Sequence, residues 1–135
     1  MKHQNNISYT PNYITQLGEN EVFVFGSNTR GNHHSGAAAL AKRWGAIQGQ
    51  GEGLQGKTYA IPTMFPTALE IQPYVNRFID FALQHPEKTF LVTKIGCGIA
   101  GFTEEEIAPL FQRVVSQNIL NITLPEKFVA ILCMG

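Results

Sequence analysis

The chain has 135 residues, with ten basic and ten acidic side chains that cancel at neutral pH. This balance gives no support for a nucleic-acid or membrane surface that works through net charge, and no apolar run approaches the roughly 20 residues of a membrane span. The length and a hydrophobic content of 44% predict one globular domain, residues 1–135, and the polar start of the chain, which does not resemble a signal peptide, favours a cytoplasmic location.

The first third of the chain predicts a strand, a polar loop and a helix. Before them, residues 7–9 are expected to pair at a sheet edge, and residues 10–18 to form a short helix that begins at a proline and ends at a glycine. Residues 21–25 are apolar almost throughout, as expected of a strand that is covered on both faces. A glycine-punctuated loop, residues 26–36, leads into a predicted helix over residues 37–44.

The rest of the chain continues the alternation of strands and helices. Residues 45–57 contain five glycines and predict a loop rather than an element. The further predictions are strands at 58–62, 90–95 and 128–132 and helices at 71–84 and 103–117. Pro109 should kink or interrupt the last of these helices. The alternation predicts an α/β fold with a largely parallel sheet.

Two glycine-rich loops leave the carboxyl ends of predicted strands. The first is residues 26–36, and the second is residues 96–101, which precede a capping box at 103–106. Glycines let a backbone turn tightly and approach a ligand closely, and a strand–loop–helix connection directs unpaired N–H groups at an anion. Because ligands of parallel sheets bind at the carboxyl ends of the strands, both loops predict one shared ligand site. Glycines used only for chain geometry are the alternative.

Residues 51–58, GEGLQGKT, match the P-loop pattern GxxxxGK[ST] letter for letter. A P-loop lies between a strand and a helix, whereas here a predicted helix end precedes the segment and a predicted strand follows it. No aspartate at the end of an apolar strand offers itself as a magnesium partner. We therefore expect a glycine-rich surface loop, with an NTP-binding protein as an alternative.

A third alternative is a protein-interaction module without a small ligand. It would carry an exposed apolar patch, and the candidate residues for that patch are Phe65, Leu69 and Phe81.

The sequence gives little indication that its cysteines and histidines bind a metal or that a cysteine acts as a nucleophile. Cys97 and Cys133 match no zinc or redox spacing, so reduced thiols are expected. His33 and His34 are adjacent, a placement in which side chains usually point apart, and no carboxylate accompanies them at ligand spacing. We therefore expect no metal and no cofactor, and a small buried thiol at Cys97 rather than a nucleophile. Asn28 can form a turn or bind a ligand hydroxyl.

Three segments taken together resemble the macro-domain family, whose members are α/β/α modules that bind ADP-ribose. They are residues 23–28 (FVFGSN), 35–39 (SGAAA) and 95–102 (IGCGIAGF). The GCG core is similar to that of the subclass that includes terminal ADP-ribose protein glycohydrolase and the antitoxins that reverse DNA ADP-ribosylation. The chain also resembles short macro-like proteins of bacteria and phages. The resemblance covers about residues 21–111.

This resemblance implies a three-layer α/β/α fold with a mixed, largely parallel central sheet. It also implies ADP-ribose or an ADP-ribosylated substrate as the partner, with nucleic acid only if it carries ADP-ribose. Asn28 would lie near the distal ribose as a candidate catalytic residue, and Phe102 would pack on a ribose. The implied ligand-binding residues are Gly26, Ser27, Asn28, Ser35, Gly36, Ala37, Ala38, Gly96, Cys97, Gly98, Ile99, Ala100, Gly101 and Phe102.

The chain departs from the hydrolases of this subclass at three places. Ala100 stands where they have an aspartate, and Thr63-Met64 stands near the place of their catalytic lysine. Residues 1–19 contain no aspartate to contact adenine. Binding is therefore better supported than catalysis, although a water held by Asn28 and a substrate phosphate leaves hydrolysis open.

Overall fold

The computed structural model of the chain describes residues 8–34 and 36–134, and at its centre is a sheet of six strands. The strands are β1 (Tyr9–Thr10), β2 (Glu21–Ser27), β3 (Gly53–Gln55), β4 (Thr58–Pro62), β5 (Thr89–Val92) and β6 (Ile122–Pro125). Their order across the sheet is β1-β6-β5-β2-β4-β3. Neighbouring strands are parallel except β3 and β4, which are antiparallel. The prediction of a mixed, largely parallel sheet is confirmed.

Helices cover both faces of this sheet. They are α1 (Gly36–Ala41), α2 (Gln72–Leu83), α3 (Glu104–Ile107), α4 (Gln112–Ser116) and α5 (Glu126–Leu132), with 3-10 turns at Lys42–Trp44, Ala68–Ile71 and Ala108–Phe111. Side chains of β2 alternate between the faces. Val22 and Val24 pack in a large cluster with α2 to α5. Phe23 and Phe25 pack in a smaller cluster with α1. The fold therefore has the three predicted layers, and no helix in the described part of the chain is long and apolar enough to cross a membrane.

The predicted helix over residues 103–117 is interrupted, as the proline within it suggested. Thr103 and Glu106 form the predicted capping box, in which the Thr103 hydroxyl accepts the N–H of Glu106 at 3.1 Å. The chain then passes from α3 through a 3-10 turn that contains Pro109 into α4. A proline lacks the N–H that a continuous helix requires, and this explains the break.

The predicted last strand at residues 128–132 is wrong, because these residues belong to α5 and the last strand is β6. Pro125 ends β6 with φ near −54° and precedes the helix, which carries Glu126 in its first turn. Phe128 and Val129 are buried while Ala130 is exposed, a pattern of adjacent buried residues that suits a helix face. Short apolar runs do not distinguish a strand from a buried helix by periodicity, and this is why the prediction failed.

The predicted helix over residues 10–18 is also absent from the structure. Thr10 lies in β1 opposite Pro125, and its hydroxyl is 2.8 Å from the Thr123 hydroxyl, so the backbone is already extended there. Ile14 and Leu17 reach the smaller cluster from a chain without regular structure. The edge position predicted for residues 7–9 agrees with β1 at Tyr9, whereas residue 7 lies outside the described residues.

Residues 45–57 are not entirely a loop, because they contain the edge strand β3. This strand forms a hairpin with β4 through Gly56 and Lys57. The buried side chain of Gln55 accepts the Ile47 N–H at 2.7 Å and donates to the Gln50 carbonyl at 2.9 Å. A strand at a sheet edge can pair through its backbone without an alternation of apolar residues. The sequence pattern therefore did not predict β3.

Candidate functional site

The carboxyl ends of β2, β4 and β5 open into one cleft of about 400 Å³, the inner cleft. The predicted residues that line it are Gly26, Ser27, Asn28, Gly36, Ala37, Ala38, Gly96, Gly98, Ile99 and Ala100. Both glycine loops therefore meet at one place. Cys97, Gly101 and Phe102 are not part of this lining, and Ser35 lies outside the described residues.

Gly26 lets the two loops approach each other. A Cβ atom at this position would lie 3.2 Å from the Thr63 hydroxyl and 3.4 Å from the Gly96 nitrogen. Thr63 also ties β4 to β2, since its N–H and its hydroxyl both donate to the Ser27 carbonyl, at 2.9 and 3.2 Å. The carboxyl ends of β2 and β4 are thus held together by two hydrogen bonds, and the missing side chain at Gly26 leaves room for the second loop at Gly96.

The second glycine loop contains backbone amides that have no acceptor in the described part of the chain. Within it, the N–H of Gly101 donates to the Gly98 carbonyl at 3.0 Å, and the N–H of Phe102 donates to the Gly96 carbonyl at 2.9 Å. The amides without a protein acceptor among residues 8–34 and 36–134 are those of Gly96, Gly98, Ile99 and Ala100. Such unpaired N–H groups around a cavity suit an oxyanion.

Gly96 is required by the geometry of this loop. Its φ is +75°, and a Cβ atom there would lie 2.9 Å from the Cδ1 atom of Ile107 on α3. The ring of Phe102 also lies against this glycine and packs on the large cluster. The structure therefore places Phe102 beneath the loop, where it supports the backbone rather than lining the inner cleft.

Asn28 closes the first glycine loop on itself. Its Oδ1 accepts the Asn32 N–H and its Nδ2 donates to the Asn32 carbonyl, both at 3.0 Å. A Cβ atom at Gly51 would overlap the Asn28 carbonyl oxygen, so the glycine-rich segment packs backbone to backbone on this loop. Each end of the amide has two bonding positions, so one N–H and one lone pair of Asn28 have no partner among the described residues.

The adjacent histidines are separated by the fold. His33 is buried, its Nε2 lies 3.1 Å from the Gln50 carbonyl, and its ring meets Phe25 edge-on at 5.2 Å. Its Nδ1 has no partner within the described part of the chain. His34 instead lines the inner cleft. Among the described residues, no group of three or more His, Cys, Asp or Glu side chains could hold a metal ion.

Cys97 is half-buried and packs against the large cluster. Burial raises the pKa of its thiol to about 11; the carboxylate of Glu104 adds to this rise, and Lys94 opposes it. The thiol is therefore protonated at neutral pH, which supports the expectation of a structural cysteine rather than a nucleophile.

Lys94 is a cleft residue that sequence reasoning missed. Thr93 is held to β2, since its N–H and hydroxyl donate to the Val24 carbonyl at 3.1 and 2.8 Å. The Ile95 N–H turns back to the Thr93 carbonyl at 2.7 Å, so β5 ends at Val92 rather than at residue 95. Lys94 thus leaves the sheet at the cleft, although the sequence placed it inside a strand. The other lining residues not predicted are Asn32, His34, Thr63, Met64, Thr93 and Ile95.

A second cleft of about 640 Å³, the outer cleft, adjoins the first. The two clefts share Ala37, Thr93 and Lys94 in their linings. The outer cleft adds residues 10–15, with Tyr13 88% exposed, and Arg43 from the turn after α1. Among the described residues, neither lining contains a carboxylate. Both clefts are therefore suited to an anionic ligand longer than one phosphate.

The P-loop-like segment, residues 51–58, has a different geometry. It contains β3 and the turn into β4, so a strand rather than a helix follows it directly. The Lys57 ammonium donates to the Gly18 carbonyl at 2.7 Å, and the Thr58 hydroxyl donates to the Gln55 carbonyl at 2.6 Å. The polar groups that would hold a phosphate and its magnesium are thus bonded to backbone.

The three residues of the predicted apolar patch do not form one exposed surface. Leu69 is 73% exposed, but Phe65 and Phe81 are half-buried. Phe65 stacks on Tyr74 at 5.4 Å, and Phe81 stacks on His85 at 4.1 Å. This arrangement gives the interaction-module alternative little support.

Comparisons of the chain with protein-family models, with curated proteins and with solved structures found no match. The function must therefore be inferred from the geometry of the clefts and from the residues that line them.

Proposed function

We infer that the chain binds ADP-ribose, or a related nucleoside diphosphate, across the two joined clefts. The observation that carries this proposal is the meeting of both glycine loops in the inner cleft, with Lys94 in its lining. The lining also includes Gly96, Gly98, Ile99 and Ala100, whose amides have no protein acceptor among the described residues. Backbone N–H groups and an ammonium are the donors that a diphosphate requires. The resemblance to macro domains in the same two loops supports the same ligand class.

The outer cleft provides room for the nucleoside. Tyr13 and Arg43 can stack on or bond a base, and Ile14 and Leu40 supply apolar surface. Because Ala37, Thr93 and Lys94 belong to both linings, one ligand can place its diphosphate at this junction and extend in both directions.

The lining favours binding over acid–base catalysis. Ala100 lies in the inner cleft at the place where the resembling hydrolases have an aspartate, and the described lining contains no carboxylate. Thr63 and Met64 also line it, in place of a lysine. Hydrolysis, if it occurs, would depend on a water held by Asn28 and the substrate phosphate.

Isothermal titration with ADP-ribose, with ATP and NAD as parallel ligands, tests this proposal. Saturable micromolar binding of ADP-ribose, with ATP much weaker, is the expected result. Binding of ATP alone would favour the NTP-binding alternative at residues 51–58. If none of the three binds, the proposed ligand class is wrong.

A further inference from the structure

Lys94 stands where the two clefts meet, since it lines both of them. Its backbone is held on each side. Thr93 is bonded to the Val24 carbonyl of β2, and the carbonyl of Lys94 accepts the Cys97 N–H at 3.2 Å. A ligand that occupies both clefts therefore passes next to this residue.

The ammonium of Lys94 is paired with a carboxylate from the far side of the second glycine loop. Its Nζ lies 3.0 Å from Oε2 of Glu104, the first residue of α3. The pair thus joins the two ends of the loop that carries the amides without an acceptor among the described residues. The side chains of Lys94 and Glu104 are 48% and 26% exposed. Water and salt screen such a pair, so that it is weak and can exchange.

We propose that Lys94 recognises the charge of a bound diphosphate and that Glu104 competes with the ligand for this ammonium. The inference rests on the proposed function of the clefts. When the ligand binds, the ammonium leaves the carboxylate and forms a charge-assisted hydrogen bond with a phosphate oxygen, in addition to the bonds from the loop amides. Glu104 thereby lowers the affinity for anions in general and selects for ligands with more than one negative charge.

Titration of two ligands, ADP-ribose and inorganic diphosphate, tests this inference in single variants. Lys94→Met should weaken both ligands by about tenfold or more, because a charge-assisted bond is lost. Glu104→Gln should strengthen both by about two- to fivefold, the strength of a partly exposed ion pair. Glu105→Gln is the matched control: it removes the same charge from the same turn, and Glu105 has no ion-pair partner among the described residues. Lys94→Gln serves as a second variant if Lys94→Met does not fold.

The double variant Lys94→Met/Glu104→Gln separates competition from simple repulsion. If Glu104 acts through Lys94, the gain from Glu104→Gln disappears in the Lys94→Met background. A gain that persists there, an equal gain from Glu105→Gln, or unchanged affinity in Lys94→Met overturns the inference.

Two outcomes separate this inference from the proposed function. In the first, inorganic diphosphate binds in a Lys94-dependent way and ADP-ribose binds no more tightly than diphosphate does. This result overturns the ADP-ribose assignment and retains the role of Lys94. Wild-type protein that binds neither ligand overturns both.

Discussion

Cys97 shows at the scale of one residue how packing sets chemistry. It lies between two glycines of the second loop, beside amides that have no acceptor among the described residues and would favour a thiolate. Its side chain is nevertheless packed on the large cluster. Desolvation outweighs the other effects and raises its thiol pKa to about 11. A thiol of ordinary pKa at this place would titrate near pH 8.5.

Alkylation of Cys97 by iodoacetamide in a Cys133→Ser variant should therefore follow a midpoint near pH 11. Because the folded pKa exceeds that of the unfolded chain, the unfolded chain loses this proton first. The stabilising contribution of the Cys97 thiol to the free energy of unfolding is complete below about pH 8.5 and is lost as the pH rises toward 11. Mass spectrometry of the native and the urea-unfolded protein measures both midpoints, and coincident midpoints would contradict the prediction.

At the scale of elements, each glycine loop is held from outside the cleft. The first loop closes through Asn28 and rests on the glycine-rich segment at Gly51. The second loop is fixed at Gly96 against Ile107 of α3. At Gly98, in contrast, a Cβ atom would have no described atom within 4 Å beyond those of its chain neighbours, and Gly98 lines the inner cleft. This position can accept a side chain without disturbing the fold.

Gly98→Glu should therefore abolish ligand binding and leave stability unchanged. A carboxylate among the loop amides repels a diphosphate, which should weaken ADP-ribose by about a hundredfold or more. Gln112→Glu is the control, since it adds the same charge at the start of α4, outside either cleft lining. Titration and thermal unfolding of both variants measure the effect. Gly98→Glu with the affinity of the parent would show that the ligand binds elsewhere.

The position of the two glycine loops was predictable because it depends on residues that are neighbours in the sequence. Residues 21–25 and 90–95 read as buried strands from composition, and each is followed at once by glycines. The missed features depend on distant partners. β3 exists through pairing with β4, and Lys94 becomes a cleft residue because Thr93 bonds to Val24 of another strand. The short apolar run at 128–132 fits either a strand or a buried helix, and only packing decides between the two.

At the scale of the whole molecule, the sheet separates the bulk of the core from the smaller cluster next to α1. Phe78 of α2 is fully buried at the centre of the large cluster. Its ring lies 5.0 Å from Tyr59, 5.6 Å from Phe90 and 6.5 Å from Phe111. These contacts join α2 to β4, to β5 and to the turn before α4, so the side chain connects three parts of the chain.

Phe78→Ala should lower the free energy of unfolding by about 3 to 5 kcal/mol, the usual effect of removing a buried aromatic ring. Leu83→Ala, at an exposed position of the same helix, should change it by less than about 1 kcal/mol. Urea denaturation of both variants measures the difference. Equal effects would mean that α2 does not anchor the core as the contacts indicate.

The sequence by itself determined the α/β class, the carboxyl-edge position of two glycine loops and the capping box before α3, because each depends on residues close together in the chain. Only the tertiary structure decided that both loops open into one cleft, that Phe102 supports the loop from below and that Lys94 faces both clefts beside Glu104. The physical reason is that strand order and side-chain burial are set by contacts between segments far apart in sequence. A chain without net charge can thus present two joined clefts with cations and no carboxylate in their described lining.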